Sequence, residues 1–104
     1  MLQTLKIIED EIGQLKLYNI PSGTKVFDWV VPDEWNCKNA YIIQPDGKKI
    51  CDFSKNNLHL MGYSSPVDKT IDLSELETHL YSLPEYPDAI PYVTSYYERK
   101  WGFC

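Results

Sequence analysis

The sequence lacks long apolar runs. The longest in its 104 residues span three or four positions, such as Tyr41-Ile42-Ile43, whereas a membrane-spanning helix needs about 20 consecutive apolar residues. The N-terminal stretch turns acidic at Glu9 and has neither the sustained apolar segment nor the small-residue cleavage site of a signal peptide. We therefore expect a cytoplasmic protein that does not bind a membrane.

Cysteine and histidine are scarce. The three cysteines, Cys37, Cys51 and Cys104, fit neither a disulfide framework nor the closely spaced pairs that bind zinc, so we expect reduced thiols. The two histidines, His59 and His79, form no HExxH or similar spacing, and we expect structural roles for both. The residues therefore predict neither a metal site nor a cofactor in this chain.

Motifs of nucleophilic catalysis and phosphate binding are missing as well. The sequence contains no Gly-x-Ser-x-Gly elbow and no glycine-rich phosphate loop. Basic residues are outnumbered by acidic ones, 10 against 15, which gives a net charge of −5 and disfavours nucleic acid as a partner. We predict no catalytic residue in this chain.

The residues that are present suffice for a small folded domain, with 43% hydrophobic and 13% aromatic content. Apolar residues recur every three or four positions from Leu5 to Leu15 and predict an amphipathic helix over residues 2–15, in which Gly13 weakens or ends the last turn. A second helix is predicted near 74–82.

Asp72 is positioned to cap that second helix, with Glu75 reaching back to complete a capping box. The turn residues Pro45-Asp46-Gly47 predict a β-hairpin over residues 40–53. Three prolines keep residues 83–91 extended. Further short strands are predicted at residues 16–20, 26–31, 58–63, 67–73 and 92–97. Together these elements predict an α+β fold, namely a small β-rich domain with an N-terminal helix and a second helix.

Aromatic residues are abundant, with three tryptophans and eight tyrosines. Such residues fill cores, but they also dominate contacts with other domains and chains, and both interpretations remain open. The candidate interaction surface comprises Trp29, Trp35, Tyr92, Tyr96, Tyr97 and Trp101.

Several tryptophan- and proline-rich stretches resemble the N-terminal region of a bacterial zinc aminopeptidase-like family associated with polysaccharide-biosynthesis genes. The resemblance covers nearly the whole chain. It rests on residues 20–36 (IPSGTKVFDWVVPDEWN), 57–60 (NLHL), 63–64 (YS), 66–67 (PV), 83–92 (LPEYPDAIPY), 94–97 (TSYY) and 101–104 (WGFC).

The resemblance implies a protein about four times as long, with an α/β zinc-exopeptidase-like domain, a small β-rich insert of unknown function and a C-terminal winged helix. In that plan residues 1–25 are the first helix and strand of the peptidase-like domain. Residues 26–90 are the insert, and residues 91–104 return to the peptidase-like domain. The family's zinc ligands and general base lie beyond the equivalent of Cys104.

Two hypotheses follow. In the first, the chain is a non-catalytic fragment of an aminopeptidase-like protein, and its inserted domain shapes substrate access or oligomer contacts. Its partner is then the remainder of the peptidase-like domain or a second copy. In the second, the chain is a free-standing protein-interaction module that uses its aromatic surface residues.

Overall fold

The computed structural model describes residues 2–104, which form two units that divide between Glu34 and Trp35. No helix among these residues is long and apolar enough to cross a membrane. Two helices and two small antiparallel sheets give an α+β chain. The elements are α1 (Leu2–Ile12), β1 (Lys25–Val26), β2 (Trp29–Val30), β3 (Ile42–Ile43), β4 (Lys49–Ile50), a 3₁₀ turn (Asn57–His59) and α2 (Leu73–Glu77).

Helix α1 confirms the predicted N-terminal helix, although it ends at Ile12 and not at Leu15. The reason is Gly13, whose φ of 89° is left-handed and whose amide donates to the carbonyl of Glu9 at 2.9 Å. A left-handed glycine is a common helix terminator because it has no Cβ to clash. The strand predicted at residues 16–20 is wrong, since these residues pair with no other strand in the described chain.

The predicted strand at residues 26–31 is instead a hairpin. Strands β1 and β2 both lie within or beside this range and pair antiparallel. Phe27 reverses the chain with a left-handed φ of 53°. At the base of the hairpin the amide of Val31 donates to the carbonyl of Thr24 at 2.9 Å. The β-branched and aromatic composition was therefore a sound indicator of strands, but it did not reveal the reversal between them.

The hairpin predicted over residues 40–53 is confirmed. Strands β3 and β4 pair antiparallel, with Ile42 opposite Ile50. The turn closes through a 2.8 Å hydrogen bond from the amide of Gly47 to the carbonyl of Gln44, and Gly47 has a φ of 82°. Glycine adopts that backbone conformation at little steric cost.

Helix α2 begins where its cap predicts but is shorter than the expected 74–82. The carboxylate of Asp72 accepts a hydrogen bond from the amide of Glu75 at 2.8 Å, which confirms the cap. The side chain of Glu75 forms an ion pair with Lys69, so the reciprocal half of the predicted capping box is wrong.

Short backbone segments pair side by side in the second unit and form a narrow ladder. Phe103 is its centre, bridged antiparallel to Leu60 on one side and parallel to Leu80 on the other. Gly62 extends the ladder through a parallel bridge to Thr94. Because Leu80 is committed to this pairing, the helical backbone of α2 cannot continue through it.

The core of the second unit surrounds this ladder. Met61 is 1% exposed, and Phe103 is the other apolar side chain buried among the described residues. Ser95 is also buried, and its hydroxyl donates to the carbonyl of Tyr63 at 3.0 Å. The buried hydroxyl is thus paired, as burial of a polar group requires.

The remaining predicted strands are wrong or reduced to single bridges. Residues 58–63 begin as the 3₁₀ turn, 67–73 form no strand in the described chain, and 92–97 pair only at Thr94. Residues with high strand propensity form a ladder only where a partner strand is available. Among the described residues, no long partner strand is present. The proline-rich 83–91 segment is neither helix nor strand, as predicted.

Candidate interaction surface

The six predicted aromatic residues are divided between the two units, one in the first and five in the second. Trp29 lies on β2 in the first unit and is exposed. Of the five in the second unit, two belong to a cluster around Tyr63, one stacks on a histidine, and Tyr92 and Tyr96 have no ring contact among those found in the described residues.

The first cluster links Trp35, Tyr63 and Tyr97. The indole Nε1 of Trp35 donates to the carbonyl of Ser64 at 3.0 Å, and its ring stacks on Tyr63 with centroids 5.9 Å apart. Tyr97 meets Tyr63 edge to face at 4.5 Å. These are favourable aromatic geometries. Trp35 is half-buried and packs within the unit, whereas Tyr97 keeps an exposed face.

Tyr96 and Tyr97 occupy the centre of a tight turn. The amide of Glu98 donates to the carbonyl of Ser95 at 3.1 Å, and the two tyrosines between them have φ values of 52° and 66°. Glycine and asparagine usually fill such left-handed positions, so bulky rings there strain the backbone. The turn is held at Ser95, and Tyr96 is 79% exposed.

Trp101 belongs to a second cluster. Its ring stacks on His79 with centroids 3.6 Å apart and planes inclined by 15°, and Phe103 meets it edge to face. The Nδ1 of His79 lies 3.0 Å from the carbonyl of Trp101. Since a carbonyl only accepts, Nδ1 must carry the proton. The ammonium of Lys69 lies 5.4 Å from the indole ring centre. Trp101 is therefore largely engaged within its own chain.

Sequence reasoning missed Tyr63 and His79 as members of these clusters. The pattern around His79 predicts a helix flank, and its contact with Trp101 spans 22 residues. Tyr63 joins rings from both sides and has a φ of 59°, which local spacing does not signal. Neither contact has a signature in the sequence, because both arise when distant segments meet.

The thiols show no activation. Burial raises the pKa of Cys37 and of Cys51, and it also raises the pKa of Cys104, to which the neighbouring Cys51 adds. A raised pKa keeps the thiol protonated and poorly nucleophilic at neutral pH. Residues 2–104 contain no group of three or more His, Cys, Asp or Glu side chains that could hold a metal ion. The described residues therefore do not fit the zinc that the family resemblance implies.

The first unit displays a larger apolar surface than the aromatic pattern predicted. Helix α1 has no buried residue, and Ile12 on it is 70% exposed. Exposed apolar areas of this kind mark interaction sites. The exposed large hydrophobic residues of this unit are Leu2, Ile7, Ile8, Ile12, Leu17, Tyr18, Ile20, Phe27, Trp29 and Val30.

Comparison with known proteins identifies a family and a longer relative that this chain resembles. The family model described as "Domain of unknown function (DUF2172)" matches residues 34–104. A relative in Clostridium acetobutylicum, named "Putative polysaccharide biosynthesis protein with aminopeptidase-like domain", is 52% identical over 101 residues. The match covers 97% of this chain but 23% of the relative.

A solved structure shows the same relation. The crystal structure of a "putative peptidase" from Clostridium acetobutylicum is 51% identical in sequence and superposes with a TM-score of 0.91. The superposition covers 98% of this chain and 24% of that one. The chain therefore spans about a quarter of the length of these relatives, as the resemblance in its motifs implied.

Proposed function

The chain belongs to the family of the domain of unknown function DUF2172, and from this we propose that it is a non-catalytic part of an aminopeptidase-like protein. In this proposal residues 26–90 form the inserted domain, which shapes substrate access or subunit contacts in a cytoplasmic enzyme. Residues 1–25 and 91–104 pack with the remainder of the peptidase-like domain.

The observation that carries the proposal is the uncovered helix α1. An amphipathic helix normally buries its apolar side, yet every described residue of α1 is at least partly exposed, Leu2 and Ile12 strongly so. Relatives that contain this whole region extend over about four times its length. In this proposal, the additional residues of the longer protein supply the surface against which the helix packs.

The proposal assigns any zinc site to residues outside this chain. The resemblance implies zinc for the longer protein, but the described residues bring no three candidate ligands together. A catalytic zinc site needs three protein ligands and an open position for water. No catalytic step is therefore assigned to the residues of this chain.

An activity assay tests this part of the proposal. The purified 104-residue chain is incubated with aminoacyl-anilide substrates and zinc, beside a zinc aminopeptidase as a positive control. We expect release of the anilide at the rate of the blank. Zinc-dependent turnover well above the blank, abolished by a chelator, would overturn the proposal.

A second candidate function is a free-standing protein-interaction module. The observation in its favour is the set of exposed tyrosines in the second unit, above all Tyr92 and Tyr96, because tyrosine is enriched at protein interfaces. This function needs a chain that is stable alone. Cooperative thermal unfolding without binding of an apolar dye would favour it, whereas broad unfolding with strong dye binding favours the first proposal.

A further inference from the structure

The tip of the β1–β2 hairpin carries an unusual residue. Val26 pairs with Trp29, and the two residues between them form the reversal. Phe27 is the first of these, with a left-handed φ of 53° and a side chain that is 100% exposed. Glycine suits that backbone conformation better, and water is an unfavourable environment for a phenyl ring. Nothing within the hairpin compensates for either disadvantage.

The base of the hairpin holds this tip in place. The amide of Gly23 donates to the carbonyl of Val31 at 2.8 Å, and the amide of Val31 donates to the carbonyl of Thr24 at 2.9 Å. The hydroxyl of Thr24 donates in turn to the carbonyl of Pro21 at 2.6 Å. Phe27 therefore projects from a hydrogen-bonded backbone, and a preorganised loop loses less entropy when it binds.

The surroundings of Phe27 match the composition of a binding hot spot. Trp29 and Val30, the two residues of β2, are also exposed. Large aromatic side chains that enter fully desolvated pockets contribute most of the energy at protein interfaces. Asp28, the next residue along the chain after Phe27, is exposed and polar, as residues at the rim of an interface commonly are.

From these observations we infer that Phe27 is the anchor of an interface and inserts into an apolar pocket on the peptidase-like remainder of the longer protein. The inference rests on the proposed function. The similar solved structure matches 98% of this chain with a TM-score of 0.91, and the match covers 24% of that longer chain. The other residues of such a chain are covalently joined to the hairpin and so are its nearest source of a pocket.

Hydroxyl-radical footprinting tests the inference on two proteins. The first is the 104-residue chain, and the second is a chimera in which this chain replaces its 52%-identical equivalent in the Clostridium acetobutylicum relative. Oxidation of Phe27 is followed by mass spectrometry, and the buried Phe103 is the internal control. We expect Phe27 to react roughly tenfold more slowly in the chimera, as a desolvated anchor would, while Phe103 stays protected in both.

Substitutions supply a second readout. Phe27→Asn removes the ring but suits the left-handed turn, and Phe27→Tyr retains the ring. We expect Phe27→Asn to leave the melting temperature of the isolated chain unchanged or raised and to lower that of the chimera. Phe27→Tyr should preserve most of the stability of the chimera.

The possible results distinguish a failure of the proposed Phe27 contact from a failure of the proposed function. A folded chimera in which Phe27 reacts as fast as in the isolated chain overturns the hairpin contact and leaves the proposed function standing. A chimera that does not fold counts against the proposed function and removes the basis of the inference. Protection of Phe27 in the isolated chain that increases with concentration would identify a second copy as the occupant and overturn the inference.

Discussion

At the level of single residues, Gly102 has the tightest surroundings of the glycines. A Cβ at this position would lie 2.6 Å from Cε2 of Tyr81 and 2.9 Å from the carbonyl oxygen of His79. The tyrosine ring can shift, but the carbonyl belongs to the backbone of the ladder. The close approach of these segments therefore depends on a residue without a side chain.

Gly102→Ala should destabilise the chain by about 1–3 kcal/mol, because overpacking forces the ladder apart. Gly62→Ala is the matched control, since a Cβ there meets Thr94 at an ordinary 3.6 Å. Urea unfolding at neutral pH measures both variants. Equal losses for the two would show that the carbonyl of His79 does not restrict position 102.

The charge of Asp72 contributes to stability in a pH-dependent way. Hydrogen bonds from the amide of Glu75 and the hydroxyl of Ser74 lower the pKa of Asp72 below its usual value of 3.8. A carboxyl with a lowered pKa in the folded state stabilises the fold above the unfolded pKa. That contribution is lost as the pH falls through the lower folded value.

Asp72→Asn tests this dependence, because asparagine still caps a helix but carries no charge. The stability advantage of the natural chain over Asp72→Asn should be constant from neutral pH to about pH 5 and then shrink below the unfolded pKa. Urea unfolding between pH 7 and pH 2 measures it, with Asp68→Asn as a control for loss of a nearby charge. An advantage that does not change with pH would contradict the expected role of the charge.

At the scale of elements, the β3–β4 hairpin forms where the turn residues Pro45-Asp46-Gly47 predict it. The amide of Lys48 donates to the side chain of Asp46 at 2.9 Å, and Gly47 takes the left-handed position of the turn. Lys49 places its ammonium 3.8 Å from the ring centre of Tyr41, the residue that precedes β3. The turn and the pairing therefore support the same register.

Gly47→Ala should destabilise this hairpin by about 1–2 kcal/mol through backbone strain alone, since the space around a Cβ there is open. Gly47→Asn should lose less, because asparagine tolerates the left-handed region. Amide hydrogen exchange of residues 42–50, together with urea unfolding, measures the effect. If alanine and asparagine were equally costly, the strain explanation would fail.

The elements that the sequence predicted correctly are those encoded by neighbouring residues. Asp72 caps α2 from three positions away, and Pro45-Asp46-Gly47 forms its turn within a few residues. The bridge of Phe103 to Leu60 depends on segments far apart in the chain, so no local pattern reveals it. The reversal at Phe27 was missed for a different reason, since it lacks the glycine or asparagine that usually marks such a turn.

At the scale of the whole molecule, exposed large hydrophobic residues are more frequent along the first unit than along the longer second unit. Ten large hydrophobic residues of the first unit are exposed, from Leu2 to Val30, whereas the core side chains Met61 and Phe103 both belong to the second. Helix α1 is thus the part of the chain that gains most from a covering surface. The isolated 104-residue chain should therefore bind apolar dyes strongly.

Ile12→Lys should lower dye fluorescence of the 104-residue chain without lowering its resistance to urea, because the side chain it replaces is mostly exposed. Gln14→Lys is the matched control and adds the same charge at an exposed polar position. A fluorescence titration compares the two. An equal decrease in both variants would attribute the effect to charge and not to the apolar surface of α1.

The ladder around Phe103 also affects how the chain folds during synthesis. His59 and Cys104, joined by a hydrogen bond, are 45 residues apart, and His79 and Trp101 are 22 apart. Contacts of such high sequence separation slow folding, because long loops must close before the pairing forms. The second unit therefore cannot complete its core until residues 101–104 have left the ribosome. Until then its central segment is missing, and the nascent chain exposes Met61 and its neighbours to chaperones and proteases.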